Sequence, residues 1–261
     1  MTQTTPRKNK AKINWKRAEF CSTLSSAVYF HGEALERKLK EHRPTQYGIL
    51  EFDNDGAEGC AFRYDRETVY VAFRGTEPTE LSDILADIKA WPTESDTEGS
   101  VHAGFKGHLD KIYEDVHKYV YGRAVSKKRD TLVITGHSLG AAMATIFASR
   151  IRQSGYKVEL YTYGSPRVGT TSWADQFKDI PSFRFVNNND IVCQVPPFGL
   201  YHHVGQLHYM DYAGKILTDS TYWQRTWDKL RSTARAWSKL QLFDSLYDHE
   251  IPKYREKIKN K

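Results

Sequence analysis

Apolar residues recur at helical spacing from Asn14 to His31 and predict a first helix there. A charged segment, Glu33 to Arg43, follows and stops before Pro44. The period then changes. Gly48–Phe52, Glu58–Arg63 and Thr68–Arg74 are short β-rich runs separated by Asn54-Asp55-Gly56 and Asp65-Arg66, which predicts an antiparallel entry to a sheet. A helix over Lys106–Tyr121 leads to a strand, Thr131–Thr135, and a small-residue helix, Ala141–Arg150, leads away from it. Lys157–Tyr163 and Ser182–Val186 are further strands, each reached through a helix, an alternation that implies parallel β-α-β units. Gln206–Met210 and Lys215–Thr218 read as a hairpin around Ala213-Gly214, and Thr221–Leu246 as mostly helical. The whole predicts an α/β fold with a mostly parallel central sheet flanked by helices.

One further stripe lies between Pro78 and Pro92, where Leu81, Ile84, Leu85 and Ile88 share a helical face. Trp91 ends the run, and Glu80, Asp83 and Asp87 supply its wet side. The segment from Pro92 to Ser100 is very polar.

Composition narrows the setting. A chain of 261 residues, 39% hydrophobic and 27% charged, suits one α/β domain over 13–261 behind a basic tail over 1–12. No stretch approaches the roughly 18 to 20 apolar residues of a transmembrane helix. The basic head (Arg7, Lys8, Lys10, Lys12, Lys16) has no apolar run after it, so no signal peptide is read and the cytoplasm is the expected compartment. Cys21, Cys60 and Cys193 have no metal-ligand spacing, and an odd number favours reduced thiols. The net charge of +6 is spread along the chain and gives no nucleic-acid footprint.

The chemistry concentrates at Gly136-His137-Ser138-Leu139-Gly140, set between the Thr131–Thr135 strand and the Ala141–Arg150 helix. A sharp strand-to-helix turn of this kind lifts a serine hydroxyl above a sheet, which makes Ser138 the candidate nucleophile. Such a hydroxyl needs a base, and the base needs an orienting acid. Asp190 falls just past the end of the Ser182–Val186 strand, the edge at which α/β enzymes build their sites. Four histidines follow it: His202, His203, His208 and His249. Chain order does not choose among them, although the loop position of His249, within Asp248-His249-Glu250, favours it. An oxyanion needs two donors; Leu139 offers one N–H, and Thr76, at the end of the Val69–Gly75 run, offers a second.

These pieces together resemble the class 3 lipases, the fungal-lipase-like branch of the α/β-hydrolases. The resemblance runs from about Tyr47 to Tyr254. It rests on Phe73-Arg74-Gly75-Thr76, Val101-His102-Ala103-Gly104-Phe105, the elbow, Tyr161 to Gly169, Asn189-Asp190-Ile191-Val192 with Pro196-Pro197, and Asp248-His249 with Tyr254, in that order. It implies a nucleophile at Ser138, an acid at Asp190, a base at His249 and oxyanion donors at Thr76 and Leu139. It sets His202 and His203 aside. It also implies a helical lid at about 77–100, carrying Leu81, Ile84, Leu85, Ile88 and Trp91. The expected activity is that of a serine ester hydrolase acting on acylglycerol esters, with no cofactor and no metal, at a lipid–water interface when the lid moves. A phospholipase A1 or a feruloyl-type or short-chain carboxylesterase could use the same residues. A noncatalytic lipid-binding protein is the alternative of another class. Ala141 stands where many relatives have glycine, and the disulfides common among fungal members are missing.

Overall fold

The computed structural model describes residues 11–40, 42, 48–76, 91–122, 130–197, 199–219 and 248–261. The lid stripe Leu81, Ile84, Leu85, Ile88, most of the basic tail and the helix expected over Thr221–Leu246 lie outside the described residues.

Eight strands form one sheet, in the order β1 (Leu50–Asn54), β2 (Ala57–Arg63), β3 (Thr68–Phe73), β6 (Thr131–His137), β7 (Lys157–Tyr163), β8 (Ser182–Asn187), β9 (Gln206–Met210) and β10 (Ile216–Thr218). The first two pairings are antiparallel, the four from β3 to β9 are parallel, and β10 returns antiparallel as the second strand of a hairpin. The antiparallel entry and parallel centre match the sequence pattern.

Two layers of helix cover the sheet. On one face, α3 (Ala103–Gly122) and α4 (Leu139–Gln153) pack over Val71, Phe73, Leu132, Ile134 and Leu160. The residues of α4 from Leu139 to Ile151 are all buried, and its alanines let it lie directly on the strands. On the other face, α1 (Trp15–Ala27), α2 (Gly32–Leu39) and α6 (Ile251–Lys259), which follows the short α5 (Thr171–Asp175) in the chain, cover Phe62, Tyr70, Val133, Tyr163 and Phe185. Asn14 starts α1 by accepting the Arg17 N–H at 3.1 Å on its side-chain oxygen, which satisfies one of the donors a helix start leaves over. The single helix expected over Asn14–His31 ends at Ala27, and α2 begins at Gly32.

The polar stretch after the lid stripe is a small hairpin. β4 (Pro92–Glu94) pairs antiparallel with β5 (Ser100–His102), and α3 starts immediately afterwards at Ala103. Charge holds this hairpin down: Arg150 of α4 pairs with Asp96 and, at 2.6 Å, with Asp110, while Lys106 reaches Asp110 at 2.7 Å. Trp91, just before the hairpin, is 81% exposed.

Candidate active site

The ends of β3, β6 and β8 bring the candidate residues to one edge of the sheet. Ser138 follows β6 directly and takes φ +57° and ψ −127°, a left-handed backbone that a non-glycine residue adopts only where its surroundings enforce it. Enforcement is visible on both sides. The Ser138 N–H donates to the Tyr163 carbonyl at 3.1 Å, and its own carbonyl accepts from Ala141 at 3.0 Å as α4 begins. A Cβ on Gly136 would strike the Gly140 carbonyl, and one on Gly140 would strike the Phe73 carbonyl, so the turn closes only with glycine at both places.

Asp190 lies three residues beyond β8 and is 1% exposed. His249 Nδ1 sits 3.0 and 2.9 Å from its two carboxylate oxygens. Tyr254 O–H donates to Oδ2, and the Val192 N–H donates to Oδ1 at 2.9 Å. Burial alone would raise the Asp190 carboxyl, but the charge and hydrogen bond of His249 and the Tyr254 hydroxyl outweigh it and hold the group below its ordinary value. An ionised Asp190 fixes the proton of His249 on Nδ1. His249 Nε2 is thereby left as an acceptor, buried and without a hydrogen-bond partner among the described residues.

The loop that carries His249 is pinned to the loop that carries Asp190. Asn187 Nδ2 donates to the Asp248 carbonyl at 2.8 Å, and Asp248 Oδ2 accepts from Asn188 Nδ2 at 2.9 Å and from the Asn189 N–H at 3.1 Å. Gly164, at the end of β7 with φ +59°, leaves room for the pair: a Cβ there would lie 2.8 Å from His249 Cε1 and 3.0 Å from Asp190 Oδ2. Gly164 directly follows Tyr163, whose carbonyl holds the Ser138 N–H, so serine and imidazole share one short stretch of backbone.

The two candidate oxyanion donors lie beside the serine. Leu139 is the first residue of α4, where an N–H has no carbonyl of its own helix to bond. Thr76 follows Gly75 beyond the end of β3, and a Cβ on Gly75 would lie 3.2 Å from Ser138 Cβ. The other histidines are engaged elsewhere. His202 Nε2 meets Thr171 Oγ1 at 2.9 Å, His203 Nε2 donates to the Cys193 carbonyl at 2.9 Å, and His208 Nδ1 meets Thr218 Oγ1 at 3.2 Å within the sheet. Burial lowers His208 to about 4. Among the described residues no three His, Cys, Asp or Glu side chains are gathered as a metal site, and no helix is long and apolar enough to cross a membrane. Sequence reasoning gave no role to Tyr29, His137, Gly164 or Tyr254, although three of them (His137, Gly164 and Tyr254) stand inside quoted motifs.

A family model described as Lipase (class 3) matches residues 70–200. The chain belongs to the class 3 lipase family. Within it, a secreted mono- and diacylglycerol lipase of Fusarium solani is 34% identical over 125 residues, 46% of this chain and 37% of the relative. A secreted mono- and diacylglycerol lipase of Penicillium cyclopium is 34% identical over 155 residues, 58% of this chain and 50% of the relative. The match therefore spans half or less of these class 3 lipases. The Rhizomucor miehei triacylglyceride lipase structure superposes with a TM-score of 0.64 at 24% identity, over 77% of this chain and 82% of that one, and so shares the α/β-hydrolase fold. One expectation is corrected by these kin. The cytoplasmic compartment read from the basic head does not stand, because class 3 relatives of this chain are secreted enzymes and point to an extracellular setting.

Proposed function

We propose that this chain is a serine ester hydrolase, a lipase that cleaves acylglycerol carboxylic esters through an acyl-enzyme. The single observation that carries the reading is the buried His249, held by both oxygens of Asp190 through Nδ1 and open at Nε2 beside the Ser138 turn. His249 Nε2 takes the Ser138 proton as the hydroxyl attacks the ester carbonyl. The resulting oxyanion lies between the N–H groups of Leu139 and Thr76. The alcohol leaves with the proton from His249, and water enters by the same path to release the acid. Every catalytic group in this cycle comes from the polypeptide, and water is the second substrate.

The names of the mono- and diacylglycerol lipases among its kin support an acylglycerol substrate. The stripe of Leu81, Ile84, Leu85 and Ile88 in the sequence supports a rate that depends on an interface. Ser138→Ala should abolish turnover of p-nitrophenyl and glyceryl esters with the fold intact, since loss of such a nucleophile costs on the order of 10⁶ in kcat. A fluorophosphonate should label Ser138 in the wild type. Turnover by the alanine variant within tenfold of wild type, or labelling at another residue, refutes the assignment.

A further inference from the structure

The x position of the elbow, His137, is a histidine that the reaction above does not use. It is 5% exposed, and its Nε2 lies 2.6 Å from the backbone carbonyl of His249. A carbonyl brings no proton, so Nε2 must donate. The groups that face the ring are Tyr29 from the end of α1, His249 stacked on it at 4.5 Å between centroids, Tyr254 at 6.1 Å, and Asp190 behind His249. Burial first and the neighbouring His249 second push His137 down to about 3, so the ring is neutral at working pH. A neutral ring with its proton on Nε2 presents Nδ1 as an acceptor, and Tyr29 O–H, 3.2 Å away, donates to it. The Tyr29 oxygen also lies 3.5 Å from the Thr76 carbonyl, and a Cβ on Gly75 would approach it to 2.5 Å.

We propose that His137 and Tyr29 are positioning residues that lock the base: His137 grips the main chain of His249 through Nε2–H, and Tyr29 fixes the His137 ring beneath the Gly75-Thr76 segment. Asp190 sets the rotation of the His249 ring, and the backbone grip of His137 adds to the Asp248 clamp in setting where that ring starts from. Without it the residue next to the clamp, His249 itself, has one main-chain anchor fewer, and the ring gains slack beside the Ser138 turn. The candidate base is thus tied through His137 to Tyr29, whose hydroxyl donates to the His137 ring and lies in contact with the Thr76 carbonyl of the candidate oxyanion segment. The inference rests on the function proposed above, because it assigns His249 as the base.

The test compares His137→Leu, which removes both ring nitrogens, with His137→Gln, whose amide nitrogen reaches the place of Nε2. Turnover of a soluble short-chain ester should fall about 10- to 100-fold in kcat for leucine, with KM within about twofold, as expected for misplacement of a reacting group. Glutamine should recover most of the loss. Tyr29→Phe should cost several-fold in kcat on its own and nothing further in the leucine background, since one chain of contacts is then already broken. The proposal is overturned if leucine matches wild type, if glutamine is no better than leucine, or if the two losses simply multiply. Should the leucine variant not fold, Tyr29→Phe decides alone: an unchanged kcat overturns the lock, and a lowered kcat at constant KM supports it. Fluorophosphonate labelling of Ser138 in the wild type separates the outcomes, because its failure would strike the proposed function and not merely the lock.

Discussion

Gly164→Ala puts one methyl group against the His249–Asp190 pair, and its effect can be worked from distances. The new carbon would stand 2.8 Å from His249 Cε1, 2.9 Å from Nδ1 and 3.0 Å from Asp190 Oδ2, where ordinary contact begins near 3.4 Å. Relief requires the imidazole to retreat by about half an ångström, and a reacting group 1 Å out of place can cost ~10² in rate. We expect kcat to fall roughly 10- to 100-fold on a soluble ester, since a half-ångström error already exceeds what productive geometry tolerates. The backbone adds a second, separable cost. Residue 164 sits at φ +59°, where a side chain other than glycine is disfavoured by ~1–2 kcal/mol, and this should appear in urea unfolding. Gly214, with φ +86° and open space where its Cβ would be, provides the control. Gly214→Ala should lose similar stability and keep full turnover. Equal turnover by the two variants would refute the reasoning, because strain alone would then explain everything.

Tyr254→Phe removes the hydroxyl that donates to Asp190 and accepts the Asn187 N–H at 3.1 Å; a bond to a charged group is worth ~1.5–3 kcal/mol, so urea unfolding should show a loss of that size, and a loss below half a kcal/mol would count against a structural tyrosine–aspartate bond. Acid should weaken the fold through His137: its folded value of about 3 lies below the ~6.5 of an unfolded histidine, so the unfolded chain gains a proton that the fold rejects, and roughly 2–3 kcal/mol of stability should vanish between pH 6 and pH 4. His137→Gln should flatten that decline, measured as urea midpoints across the same range, and an unchanged slope would show that other groups cause it. Asp190 acts with the same sign at lower pH, its ionised form stabilising the fold above the ordinary carboxylate range and that contribution fading as pH falls through its depressed value. Rates on a triacylglycerol emulsion should rise disproportionately once substrate passes its solubility limit, and smooth saturation through that limit would remove the case for an interface-dependent lid.

The elbow was legible because its flanks carry opposite periods: five strand-forming residues enter and a run of small residues leaves, a contrast that survives without any partner. Asp190 was legible by its distance past a strand. His249 was not legible by the same means, since a loop histidine has no period, and what singles it out is a set of contacts to Asn187, Asn188, Asn189 and Asp190 some sixty residues away in sequence. The strand expected over Gly48–Phe52 begins two residues later, at Leu50, because β1 is an edge strand with one buried side chain, Phe52, and a single apolar position sets no boundary. The β4–β5 hairpin escaped notice for a related reason. Its fixing force is the pairing of its own Asp96 with Arg150 and Lys106, which stand outside it in the chain, so its residues read as plain polar chain. His137 and Tyr29 were hidden by the motif itself, which treats the first as any residue and never mentions the second.

The base reaches this edge from a segment that the sheet does not contain. Ser138, Asp190 and the Gly75-Thr76 turn are each tied to a strand end, whereas His249 is brought in afterwards by the Asp248 clamp and the Tyr254 hydroxyl of α6. A ribosome therefore delivers the nucleophile more than a hundred residues before the group that would awaken it. Through that interval the serine has no imidazole beside it and remains a weak alcohol at the end of its strand. On the function proposed above, competence waits for the clamp to close, and the order of the amino acids acts as the timer.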